Sequence, residues 1–182
     1  MTRIAAGDVF PDFTFDTHLH SGLTSRSVLK GKTVFWVLRY IGCTVCRYDV
    51  HMIAKRYEEF KAKGAQVYVV MQSDREHVVN DLQNTGAVLP FEIICDPDQS
   101  IYNLLSIRAA ESKEELLGDG LEKLQAKGAA AREAGFSHGD YEGNEQQLPA
   151  MFIVDEKGTV CYAHYAASIM DMPSIDDVLN ML

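Results

Sequence analysis

"VFWVLRYIGCTVCRYDVHMIAKRYEEF", Val34 to Phe60, contains the transition that decides how this chain folds. From Thr33 to Ile41 the sequence is almost continuously apolar and rich in β-branched and aromatic residues, the pattern of a strand covered on both faces. Beyond Cys43 and Cys46 the period changes. Val50, Ile53, Ala54, Tyr57 and Phe60 recur at helical spacing, charged residues fill the gaps and Gly64 closes the run, which predicts one amphipathic helix. The C-x-x-C pair lies in the loop between strand and helix.

The alternation continues downstream. "AQVYVVMQ" (65–72) reads as a second buried strand, followed by a helix capped by Ser73 or Asp74, carrying Val78, Val79 and Leu82 and stopping near Gly86. "PFEIICDPD" (90–98) gives a third strand ended by Asp96-Pro97, with Ile101, Tyr102, Leu104 and Leu105 in a short helix behind it. Residues 108–147 interrupt the rhythm with a polar stretch rich in Ala and Glu, read as a helical insertion that becomes a loop from Gly135. In "LPAMFIVDEKGTVCYAHY" (148–165) two β-rich runs flank a turn at Asp155–Gly158, the mark of an antiparallel hairpin. Ser174 then caps a last helix through Val178, Leu179 and Leu182. Parallel strands joined by crossovers and closed by a hairpin describe a mixed central sheet with helices on both faces.

With 182 residues, 47% of them apolar and 24% charged, the chain is expected to fold as one domain, 1–182, around its own core. A formal charge of −9 and a pI near 5.1 argue against nucleic acid or an anionic membrane as partner. The start of the chain lacks the basic, then apolar, pattern of a secretory signal, and no run of 18 apolar residues occurs; a cytoplasmic location is expected. Four cysteines are too few for a secreted disulfide scaffold. In a reducing compartment a close pair is more often catalytic, redox-active or metal-binding.

A helix that starts at or near Cys43 sets its sulfur on the positive end of the helix dipole, among N–H groups without intrahelical partners. Such a setting lowers a thiol pKa from about 8.5 to roughly 3.5–7.5, and the thiolate is the species that attacks disulfides and peroxides. Two intervening residues on a first helical turn keep Cys46 within reach, so that one sulfur can resolve an intermediate on the other. Residues 39–63 carry six basic and three acidic side chains, of which Arg39 and Arg47 are near enough to act on the thiols. Leu148-Pro149 stands immediately before the hairpin, and a proline there gains interest from the C-x-x-C upstream.

These features resemble the thioredoxin-fold proteins of the alkyl hydroperoxide reductase/thiol-specific antioxidant, or peroxiredoxin-like, family. The likeness runs from "GDVFPDFTF" (7–15) through "LRYIGCTVCRYDV" (38–50) and "CDPDQSIY" (95–102) to "HGDYEGNEQQLPAMFIVDEKGTVCYAHY" (138–165). It implies an α/β thioredoxin-like fold with a helical insertion before the last β-hairpin. It also implies that Pro149 is a cis-proline facing the C-x-x-C, that it excludes tight metal binding there, and that the backbone beside it holds a peptide or thiol partner. Leu148, Arg39 and Thr44 are then expected to position substrate, with Arg47 and His138 as auxiliary candidates. One departure matters. The family's usual P-x-x-x-T-x-x-C, aligned on Cys46, finds Arg39 at the proline and Cys43 at the threonine. The arrangement favours Cys43 as nucleophile and Cys46 as resolver, while the reverse, with Cys46 attacking peroxide, stays open.

The remaining candidates are read more plainly. Cys95 and Cys161 lie in strand patterns as small buried residues, and Trp36 belongs to the core. His18 and His20 form an H-x-H without the further ligands a zinc site needs. Asp49 and Tyr40 are near the motif, Asp49 being expected to face solvent and Tyr40 to cover the sheet end or reach the thiols. The expected function is a thiol-dependent oxidoreductase that reduces disulfides or hydroperoxides through a Cys43–Cys46 disulfide. No metal or organic cofactor is implied; electrons would come from a thioredoxin-like or glutathione-like thiol donor, and a homodimer is allowed for. A zinc-binding or non-catalytic interaction module is the rival class.

Overall fold

Alternation along each strand explains the layering. In the computed structural model, which describes residues 2–182, the apolar run before the cysteines forms β3 (Lys32–Val37), preceded by the short β1 (Thr14–Thr17) and β2 (Leu23–Thr24). It is followed by α1 (Thr44–Lys55), α2 (Tyr57–Ala62), β4 (Ala65–Met71), α3 (Arg75–Thr85), β5 (Glu92–Cys95) and α4 (Ser100–Leu104). The insertion contains α5 (Lys113–Leu117) and α6 (Leu121–Glu133), and the chain closes with β6 (Ala150–Val154), β7 (Val160–Tyr165) and α7 (Ile175–Met181).

The seven strands form one mixed sheet in the order β2-β1-β5-β4-β3-β6-β7. β3 runs parallel to β4 and β4 to β5, whereas β6 is antiparallel to both β3 and β7. Val34, Trp36, Val67, Val69, Ile93, Met151 and Ile153 point to one face, where they pack on Val50, Ile53, Phe60, Val78 and Val178 of the helices. Phe35, Val37, Val70, Ile94, Phe152 and Val154 point to the other, against Phe10, Ile101, Tyr102 and Leu105. Period-two alternation on strands buried from both sides thus yields two cores from one sheet.

Three differences from the sequence reading have physical reasons. The helix expected to run through Phe60 breaks at Arg56 (φ −107°, ψ 12°). There the guanidinium binds Glu59 and Asp176, and the run divides into α1 and α2 while the apolar spacing continues across the break. β1 and β2 have no counterpart in the sequence pattern because four and two residues carry little periodicity; β1 gains its place by pairing with β5. Finally, Pro149 is no cis-proline, since the described residues contain no cis peptide bond. The approach to β6 is extended, with Gln147 bridged to Ala109 and the Leu148 N–H donating to the Arg108 carbonyl, and that path suits the favoured trans form.

Candidate active site

The parallel strands set the site. β3 ends at Val37, and its continuation is tied to β4 and the turn beyond: the Leu38 N–H donates to Val70, the Gln72 N–H to Arg39, and the Ile41 N–H to the Ser73 hydroxyl at 2.8 Å. Gly42 is required at the next position, because a Cβ there would run into the Asp140 carbonyl of the insertion loop. The Gly139 N–H donates to the Gly42 carbonyl at 2.8 Å in the same contact. Chain direction, turn and insertion loop together fix where α1 begins.

Cys43 is the N-cap of α1, and its sulfur accepts the Cys46 N–H at 3.4 Å. The Arg39 guanidinium donates to the same sulfur at 3.0 Å through one terminal nitrogen, while the other donates to the Glu145 carbonyl at 2.6 Å. The Cys46 thiol, the Arg39 charge and the capped N–H together hold the Cys43 pKa down to about 6 against the penalty of burial. Burial pushes Cys46 the opposite way, and the hydrogen bond to Cys43 adds to the effect. The pair therefore consists of a thiolate on Cys43 and a protonated thiol on Cys46. Both are buried, at 1% and 3% exposure, so solvent does not quench the difference.

Of the expected site residues, Arg39 is brought directly to the thiols. Thr44 opens α1, half-buried beside Cys43. Pro149 and Cys46 share the wall of a cavity of about 300 Å³, together with Trp36, Val45 and Met172. Leu148 does not line that cavity; it is buried with Ala110 and Leu116 at the root of the insertion. Arg47 makes no hydrogen bond to the sulfurs, although its charge is near enough to interact with Cys43: its Nε donates to the Ile41 carbonyl at 2.9 Å, a terminal nitrogen to Ser137 at 2.5 Å, and it forms an ion pair with Asp81. It holds the loop. His138 reaches the Tyr40 hydroxyl at 3.2 Å and packs on Tyr141, so its link to the thiols passes through Tyr40 and Arg39. A second cavity of about 310 Å³ is lined by Arg39, Tyr40, Lys113, His138 and Tyr141, so Arg39 borders both. The Arg39 Nε is buried without a hydrogen-bond partner, which leaves a donor for a bound oxygen or sulfur atom.

Two readings of individual residues change. Asp49 does not simply face solvent: it is half-buried and paired with Lys127 of α6 at 2.5 Å, the contact that lays the insertion helix along α1. No local pattern announces a pair 78 residues apart, as the positions of Asp49 and Lys127 require. Cys161 is exposed, and Cys95 only half-buried with its thiol pushed up to about 12 by burial. Cys161 stands near the start of β7, where Val160 pairs with Val154, while Tyr165 pairs with Ala150 at the thiol end. It is therefore at the wrong end of the sheet to resolve Cys43. Trp36 is core, as expected, and His18 and His20 bind Ile93 and Glu92.

A thiolate at a helix N-terminus, a proton-bearing partner one turn on and a guanidinium on the capping sulfur are the features of a thioredoxin-like thiol oxidoreductase. Known proteins agree on the class. Residues 6–163 match the model of the AhpC/TSA family, and the chain belongs to that family of thiol-dependent antioxidant enzymes. No curated protein matches the chain. Among solved structures, the fold is shared with a yeast mitochondrial 1-Cys peroxiredoxin (TM-score 0.70, 16% identity, covering 97% of this chain and 73% of that one). It is shared equally with a peroxiredoxin-like protein from Aquifex aeolicus (0.69, 14%, 99% and 86%) and with peroxidoxin BcpB from Mycobacterium tuberculosis (0.69, 11%, 98% and 96%).

Proposed function

We propose that residues 1–182 are one enzyme domain in which Cys43 is the nucleophile of a hydroperoxide-reducing dithiol and Cys46 its resolver. The observation that carries this is the convergence of the α1 cap, the Arg39 contact and the Cys46 hydrogen bond on one sulfur. The Cys43 thiolate attacks the distal peroxide oxygen, the O–O bond breaks, and the alkoxide leaves with a proton to become an alcohol, or water from hydrogen peroxide. Cys43 is left as a sulfenic acid. Cys46 then attacks the oxidised sulfur, the hydroxyl departs as water, and the Cys43–Cys46 disulfide is returned to two thiols by an external thiol donor of thioredoxin-like or glutathione-like type. Arg39 steadies the thiolate and offers its free Nε to the substrate. Pro149 and Thr44 border the approach. The same sulfur pair would exchange with disulfide substrates by the same two displacements.

A second reading has its own support: Cys46, not Cys43, lines the 300 Å³ cavity, which suits direct attack by Cys46 on a peroxide held there. Single-turnover stopped-flow mixing of reduced protein with hydrogen peroxide, cumene hydroperoxide or a small disulfide separates the two. Fast peroxide reduction that needs Cys43 and survives Cys46→Ser supports the first assignment; survival in Cys43→Ser alone supports the second. Disulfide exchange without peroxide reduction would make the chain a reductase. A cytoplasmic location, a homodimer and the identity of the thiol donor belong to the same proposal. Four free cysteines, one of them exposed, suit a reducing compartment, and none of the described helices is long and apolar enough to cross a membrane.

A further inference from the structure

Away from the thiols, Asp74, His77 and Glu142 present donor atoms that lie within 4.8 Å of one another. Asp74 caps α3 and His77 lies in its first turn, a spacing that brings the two side chains together; Glu142 comes from the insertion loop, 68 residues beyond Asp74. Asp74 uses Oδ1 to cap α3 at the His77 N–H (2.8 Å), which leaves Oδ2 2.9 Å from His77 Nδ1. Glu142 Oε2, which accepts the Asp74 N–H at 3.1 Å, lies 3.5 Å from the same nitrogen. Nitrogen and oxygen ligands held at about 2.1 Å and at right angles around a divalent ion are separated by about 3 Å. The spacing fits.

Glu142 points to a cation independently. Its side chain is only 10% exposed, and its Oε1 is buried without a hydrogen-bond partner. An acceptor oxygen buried without a partner is costly, and a cation bound at this carboxylate relieves the cost. The outer surroundings agree. His77 Nε2 lies 3.6 Å from Asp140 Oδ2, an ion-pair distance on the side where the outer carboxylate of a metal-bound imidazole stands. A cavity of about 460 Å³ lined by His77, Asp140 and Glu142 leaves room for water ligands.

We propose that Asp74, His77 and Glu142 form a divalent-cation site, with one imidazole and two carboxylates completed by water, a donor set suited to Mn²⁺ or Zn²⁺. Bound there, the ion fastens the insertion loop to the start of α3. Through the Gly139–Gly42 contact it also holds that loop over the turn that carries Cys43. The site is independent of the thiol chemistry. The full chain is titrated with Mn²⁺ alone, free ion being counted by its EPR signal, while NMR records which residues the bound ion broadens. One ion per chain is expected, with broadening centred on Asp74, His77 and Glu142. Affinity should fall at least about tenfold in His77→Gln and in Glu142→Gln, and about tenfold in Asp140→Asn, which loses only the outer partner. No binding up to about 1 mM, broadening centred elsewhere, or unchanged affinity in the folded variants overturns the proposal; if a variant does not fold, the wild-type broadening pattern decides.

Discussion

Two neighbouring strand–loop–helix units face the same end of the sheet and use the same architecture for different ends. β3 leads into α1 and β4 into α3, and each helix begins on a side chain that accepts an N–H three residues on. At α3 the cap is a carboxylate, half-exposed, with a short 2.8 Å bond and a histidine beside it. At α1 the cap is a buried sulfur, the bond is 3.4 Å and the neighbour is an arginine. A carboxylate is ionised in any case and spends its charge on the helix. A thiol ionises only because the helix end and Arg39 make it do so, and the charge then sits on a sulfur, an intrinsically better nucleophile than a carboxylate oxygen. The same backbone device yields a structural cap in one unit and, on the proposed mechanism, a nucleophile in the other.

The comparison is broken most severely at the sulfur itself. Cys43→Ser should slow single-turnover oxidation by about a thousandfold or more, since a serine hydroxyl stays protonated where the thiol does not; stopped-flow fluorescence measures this. Next comes Arg39→Met. With the guanidinium removed, the Cys43 pKa should climb from about 6 toward an ordinary value, and at pH 7 the thiolate fraction, with it the alkylation rate, should fall by up to about thirtyfold. In the wild type, the alkylation rate should rise with pH around a midpoint near 6; a midpoint near 8.5 would remove the distinction between the two caps. The sign for stability follows from the same shift. A pKa lowered by folding adds stability above the unfolded value of about 8.5, and that contribution is lost as the pH falls through about 6. The loss should vanish from the pH–Tm curve of Cys43→Ser.

Cys46→Ser sharpens the division within the first unit. Its hydroxyl can still donate to Cys43, so the first oxidation should keep its rate within about tenfold, while the sulfenic acid, unresolved, accumulates and is trapped by dimedone in mass spectrometry. The smallest effect is expected in the second unit. Asp74→Ala removes a cap worth about 1 kcal/mol and should lower Tm by about 2–4 °C, as read by calorimetry, with the Cys43 alkylation midpoint unmoved. A shift in that midpoint would mean that the two caps are not separate devices.

How far the sequence revealed this difference depends on the range of each interaction. β3, β4 and β5, the helix start at Cys43, the Asp74 cap and the Ser174 cap are local: periodicity and one or two polar residues announce them. Arg39, four residues from Cys43, was close enough to single out. What stayed hidden was long-range or conformational. Lys127 on Asp49, Glu142 beside His77 and the fold-back of residues 137–142 over the thiol turn depend on where the insertion comes to rest, and no short motif encodes that. Arg56 breaks a helix whose apolar spacing runs on undisturbed. The trans geometry at Pro149 is set by its pairing with distant segments, which the resemblance to related chains did not convey.

The meeting of Gly42 and Gly139 has an evolutionary reading. A Cβ on the first would strike Asp140, and one on the second would press on Arg47 and on Gly42 itself. The two positions, almost a hundred residues apart in order of synthesis, are therefore not free to drift separately. A lineage that remodels its insertion, or an engineer who grafts one from elsewhere, must bring a small residue to the point where the loop crosses the thiol turn, or else rebuild the turn and the cysteine it carries together.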